Sequence, residues 1–112
     1  RFIEELRKLM KSVKIEVSYF AAGIVAHLAS GDFKSWTVTS VSKEEITNEL
    51  VNIVSNWETP ESEMVAYRSF APFFPLMAEN QEYSVQLWAI WAIHHVCSKN
   101  HMLSFPFLPR EP

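Results

Sequence analysis

EVSYFAAGIVAHLAS, residues 16–30, reads as a helix that is apolar on almost every side, interrupted only by Ser18 and His27 after its opening glutamate. Such a helix has to be covered by others on most of its faces, so this stretch predicts a packed helical array rather than a lone amphipathic element. Its apolar centre, FAAGIVAHLA from Phe20 to Ala29, is shorter than the about 20 residues of a membrane span and contains His27. Ser30, Gly31 and Asp32 mark its end.

On the N-terminal side, FIEELRKLM places Phe2, Ile3, Leu6, Leu9 and Met10 on one face, which predicts an amphipathic helix from Phe2 to Met10. On the other side, Ser42 followed by Glu45 has the form of a capping box. Ile46, Leu50, Ile53, Val54 and Trp57 then recur at helical spacing, predicting a helix from about Lys43 to Trp57. Thr59, Pro60 and Glu61 combine a cap, a proline suited to the first turn and a favourable acid, and predict that another helix starts there. Pro72 and Pro75 should break it near Ala71 to Phe73. Ser84 leads into a last helix ending about Lys99, and HMLSFPFLPREP lacks helical periodicity. The expected organisation is a helical unit over residues 1–100 and a non-helical Pro-rich tail over 101–112.

Composition agrees with an ordered all-α chain. Of 112 residues, 48% are hydrophobic and 21% charged, and with only two glycines there is little support for tight hairpins. A net charge of −3 gives no reason to expect nucleic acid as a partner. The single cysteine, Cys97, and the lack of a leader-like start suit an intracellular protein of cytoplasm or nucleus, with no membrane contact expected.

Residues 16–30 also recur. Laid over SVQLWAIWAIHHVCS, they pair Val17 with Val85, Tyr19 with Leu87, Ala21 with Ala89, His27 with His95 and Ser30 with Ser98 at one constant offset. MVAYRSF follows in part, with Val65 on Val17 and Tyr67 on Tyr19, before the prolines intervene. A helix stacked between neighbouring repeats buries two faces, which accounts for its apolar character. GIVAHLA and WAIHHVC resemble the armadillo signature WALSNIA, in which a Trp and an Asn on the inner helix line a groove for an extended peptide. The resemblance implies an armadillo-like α-solenoid fragment of about two repeats, with Trp91 on the Trp position and His27 and His95 on the Asn position. It further implies a groove lined by Tyr19, Ile24, His27, Tyr67, Trp91 and His95.

VSYFAAGIVAHLAS, EMVAYRSFAPFFPLM and VQLWAIWAIHHVCSKN together are similar to the C-terminal armadillo-like domain of the Zyg eleven and Zer one family. That resemblance implies a substrate receptor of a cullin-two class RING ubiquitin ligase, binding proteins with an exposed N-terminal glycine and reaching cullin and elongins through other parts of the parent. The family's amine-binding segments, similar to WNLTD and NNIAE, are expected before Arg1, so this chain should carry groove wall without the amine pocket. The tail after Asn100 departs from the family, and uncovered faces at both ends predict self-association.

Other chemistry is weakly supported. His94 and His95 are adjacent and point about 100° apart on a helix, which does not suit a shared metal. Cys97 lacks the turn-borne, Gly-rich setting of a nucleophile. No metal, no cofactor and no enzymatic activity are expected; the alternative to a peptide-binding module is a purely structural solenoid segment.

Overall fold

The computed structural model describes residues 2–31, 36, 41–65 and 67–99. Four α-helices and one 3-10 helix make up the regular structure there, with no strand among the described residues: α1 Phe2–Met10, α2 Ile15–Ser30, α3 Lys43–Ser55, the 3-10 helix Ala71–Met77, and α4 Tyr83–Lys99. This is the expected all-α helical-repeat fragment. The expected boundary at residue 100 and the tail beyond it lie outside the described residues, as does most of the stretch after Gly31.

Helix α2 is the centre. It packs on α1, α3 and α4, while α4 also meets α3 and the 3-10 helix. Ala21, Ala22, Val25, Ala26 and Ala29 are buried on α2, against Ile3, Leu6 and Met10 from α1, Ile46, Leu50 and Val54 from α3, and Val85, Ala89, Ala92 and Val96 from α4. The alanines keep the neighbouring helices close, and Gly23 brings them closer still, since the Trp88 ring of α4 lies directly against its Cα.

Polar groups fix the register. Ser18, one of the two interruptions of α2, is buried. Its hydroxyl donates to the Met10 carbonyl at 2.6 Å and accepts from Trp57 Nε1–H at 2.9 Å, so one side chain ties the end of α1 and the chain after α3 to α2. The capping box of α3 forms as predicted: Glu45 N–H donates to Ser42 Oγ at 3.1 Å, and Ser42 N–H donates to Glu45 Oε1 at 3.0 Å. On the surface, Arg7 reaches across from α1 to hold the Glu49 carboxylate of α3, donating from Nε at 2.9 and 3.0 Å and also from its terminal nitrogen. These bonds lower the Glu49 pKa against the opposing effect of burial, with Lys11 assisting.

One predicted element is absent. No helix starts at Thr59; residues 57–65 run irregularly until the 3-10 helix. Pro60, Glu61, Ser62 and Glu63 offer no apolar face to bury, and a short helix without tertiary cover is marginal in water. The ends of the segment are instead held by side chains elsewhere, Trp57 by Ser18 and the Met64 amide by His95. The break expected at Pro72 becomes a 3-10 helix. Pro72 sits in its first turn, where a missing N–H costs little, and the Phe73 amide bonds to the Phe70 carbonyl at 2.9 Å.

Candidate functional site: an apolar hollow on helix α2

Helix α2 shows solvent one narrow stripe. Glu16, Phe20, Ile24 and His27 are its exposed residues, spaced four, four and three apart, and the rest of the helix is buried or half-buried. A solvent stripe at this spacing is ordinarily polar. Here its middle is Phe20, 52% exposed, and Ile24, 44% exposed.

Two depressions flank that ridge. One of about 390 Å³ is lined by Phe20, Gly23, Ile24, His27, Leu28, Tyr67 and Trp88, none of which carries a fixed charge. The other, about 330 Å³, runs along α1 between Leu6, Leu9, Val17 and the same Phe20 and Ile24. A larger one of about 540 Å³ lies apart, between the α1–α2 link and residues 56–61, and includes none of the six residues expected to form a groove.

The first hollow has an aromatic floor. Trp88 stacks on Tyr19 with centroids 5.2 Å apart, meets Phe73 at 5.7 Å, and donates its Nε1–H to the Tyr19 carbonyl at 3.2 Å. Tyr67 forms one wall and is fixed by a 2.7 Å bond between its hydroxyl and that of Tyr19. Burial, reinforced by this bond, raises the Tyr19 pKa and keeps the phenol protonated. His27 sits edge-on to Trp88 at 5.7 Å and places Nδ1 2.8 Å from the Gly23 carbonyl. A carbonyl accepts, so in the neutral ring Nδ1 carries the proton and Nε2 is left as an acceptor.

Of the six candidate groove residues, the hollow gathers Ile24, His27 and Tyr67. The other three, Tyr19, Trp91 and His95, do not line it. Tyr19 has no exposed surface and supports the floor. His95 is equally buried, and its Nε2 accepts from the Met64 amide at 3.0 Å. Trp91 is half-buried, wedged against Trp57 at 4.8 Å and stacked on His95 at 5.3 Å. The tryptophan at the hollow is therefore Trp88, the one aligned with Phe20 by the repeat offset. Phe20 and Trp88 were absent from the candidate set, yet the Glu16, Phe20, Ile24 and His27 spacing carried a signal for the former. His94 is exposed on α4. No group of three or more His, Cys, Asp or Glu able to hold a metal occurs among the described residues. Likewise, no described helix is long and apolar enough to cross a membrane.

Packed helices of one repeated pattern define a helical-repeat domain, here with an apolar hollow where a free helix face is ordinarily polar. Residues 1–111 match the family described as Protein zer-1 homolog-like, C-terminal domain, and the chain belongs to that family. It is 33% identical over 81 residues to the Drosophila melanogaster Protein zer-1 homolog, covering 72% of this chain and 10% of the fly protein. With the Caenorhabditis elegans Zyg eleven-related protein 1 it shares 34% identity over 79 residues, 70% of this chain and 9% of the worm protein. The Homo sapiens Protein zer-1 homolog aligns over 113 positions at 29% identity, 99% of this chain and 15% of the human protein. The chain thus spans a small part of the length of each relative.

Proposed function

We propose that this chain forms part of the substrate-recognition surface of a ubiquitin-ligase receptor, a binding module rather than an enzyme. The receptor is of the cullin-two RING class, acts in cytoplasm or nucleus, and takes proteins that expose an N-terminal glycine. The observation that carries the reading is the uncharged hollow beside the Phe20 and Ile24 ridge, in a member of the Zer one family. Ile24, His27 and Tyr67 line the substrate path in this reading, while Tyr19, Trp91 and His95 hold that wall from beneath.

The division of labour follows from chemistry. A terminal ammonium calls for a carboxylate or several acceptors, and the residues lining the hollow include no carboxylate. The amine is therefore assigned to other repeats of the parent protein, as are the cullin and elongin contacts. The hollow takes an apolar side chain further along the extended substrate. The His27 Nε2 lone pair suits a backbone N–H of the same segment.

Ile24→Glu in the full receptor tests this. Its position is already exposed, so folding should survive, as circular dichroism would check. A charge facing an apolar partner should weaken capture of a fluorescent Gly-starting peptide by about tenfold, equivalent to about 1.4 kcal/mol. Unchanged affinity would leave the segment a structural spacer in the solenoid.

A further inference from the structure

We propose that His95 is a pH-sensitive latch: neutral, it holds residues 57–65 on α4 through the Met64 amide, and protonated it lets that segment go. The geometry is specific. His95 has no exposed surface, and the Met64 N–H donates to its Nε2 at 3.0 Å. A ring nitrogen that accepts a hydrogen bond carries no proton, so the neutral ring bears its proton on Nδ1. That nitrogen is buried and has no hydrogen-bond partner among the described residues.

Protonation places a second N–H on Nε2, facing the Met64 N–H. Two donors then oppose each other, and the contact that held the strand of chain becomes repulsive. The Trp91 ring, stacked on the imidazole at 5.3 Å with planes 7° apart, offsets part of the cost of the charge. But Trp91 belongs to α4 itself, so it retains the imidazolium without retaining the segment.

The surrounding charges divide by element. Burial is the largest influence and lowers the His95 pKa; Lys99 and His94 on α4 act with it against the imidazolium, and Glu63 of the latched segment alone opposes them. The sign follows. The latch is fully closed above the ordinary histidine value of about 6.5 and weakens as pH falls below it, by up to about tenfold per unit until the depressed native value is reached.

Release would matter to the hollow because the chain just beyond Met64 carries Tyr67, one of its walls. The inference itself needs no peptide, so it stands or fails separately from the proposed function.

The test is the protection of the Met64 amide against hydrogen exchange, followed by NMR in the whole chain and corrected for intrinsic rate. Between about pH 7.5 and about pH 5.5, Met64 protection should fall measurably, by up to about tenfold, with the core amides of Val25 and Leu50 unchanged. Equal Met64 protection at both pH values overturns the latch, as does a parallel loss at all three amides. His95→Gln keeps an acceptor of similar reach and cannot titrate, so Met64 protection in that variant should not depend on pH. If it still does, His95 is not the switch; if the variant fails to fold, the unsubstituted chain decides alone.

Discussion

Gly23→Ala separates helix propensity from packing, because the two predict opposite signs. Within a helix, alanine is favoured over glycine by about 1 kcal/mol, so propensity alone makes the substitution stabilising. The structure opposes it. A Cβ at position 23 would stand 2.5 Å from Trp88 Cζ2, 3.0 Å from Cε2 and 3.1 Å from Cη2. Ordinary carbon contacts are about 3.5–4.0 Å, so the indole would have to retreat by about 1 Å. Its retreat is blocked by Phe73 and by the Tyr19 stack, and moving would break the Nε1–H bond to the Tyr19 carbonyl. Overpacking costs about 1–3 kcal/mol and the lost bond about 1 kcal/mol. Set against the propensity gain, the net loss is about 2 kcal/mol, or about 10 °C in midpoint for a domain of about 100 residues. Urea unfolding followed by tryptophan emission and far-ultraviolet dichroism would measure it, with an unchanged slope confirming that only stability moved. In a Trp88→Phe background the obstacle shrinks, and Gly23→Ala should become neutral or stabilising. A raised midpoint for Gly23→Ala in the unsubstituted chain would refute the account of how α2 and α4 meet.

Two other perturbations follow from the same contacts. Ser18→Ala removes both the acceptor for Trp57 Nε1–H and the donor to the Met10 carbonyl, and should cost about 2 kcal/mol; the check is a urea midpoint together with Trp57 emission, and an unchanged midpoint would show that these bonds add nothing net. Because its hydrogen bonds from Arg7 hold the Glu49 carboxyl below its usual value, Glu49 contributes stability that is present above about pH 4.3 and is lost as pH falls through the lower, native value. Glu49→Gln should therefore flatten the acid limb of a stability–pH curve, and an acid limb identical in the two proteins would remove the pair from consideration.

Local signals were legible where local physics settles the outcome. Ser42 and Glu45 satisfy each other's backbone amides within one turn, so the start of α3 could be read directly. The same holds for α1, whose apolar spacing is complete within Phe2–Met10. Thr59, Pro60 and Glu61 carry equally good start signals and fail. A helix there would have nothing to bury, and the Met64 amide finds its acceptor on another element, at a sequence separation of 31.

The candidate site divides in the same way. Periodicity identified α2 as a helix to be packed on most sides, and the apolar stripe of Phe20, Ile24 and His27 follows from its rotation once the buried faces are known. The repeat placed His27 and His95 at equivalent positions, yet one is exposed and the other entirely buried. Equivalent residues in a repeat share a backbone setting, whereas burial depends on what lies alongside. Beside α4 that neighbour is the irregular segment carrying Met64.

By itself, the sequence determined that this chain is an array of packed helices and where α1 and α3 begin, because their apolar spacing and capping are settled among residues a few positions apart. Only the tertiary structure decided which faces remain open. That choice depends on contacts across the chain: Trp88 against Gly23, Tyr67 on Tyr19 and Trp57 on Ser18. None of these pairs has a spacing that helical periodicity could reveal, and together they put Trp88 rather than Trp91 at the hollow.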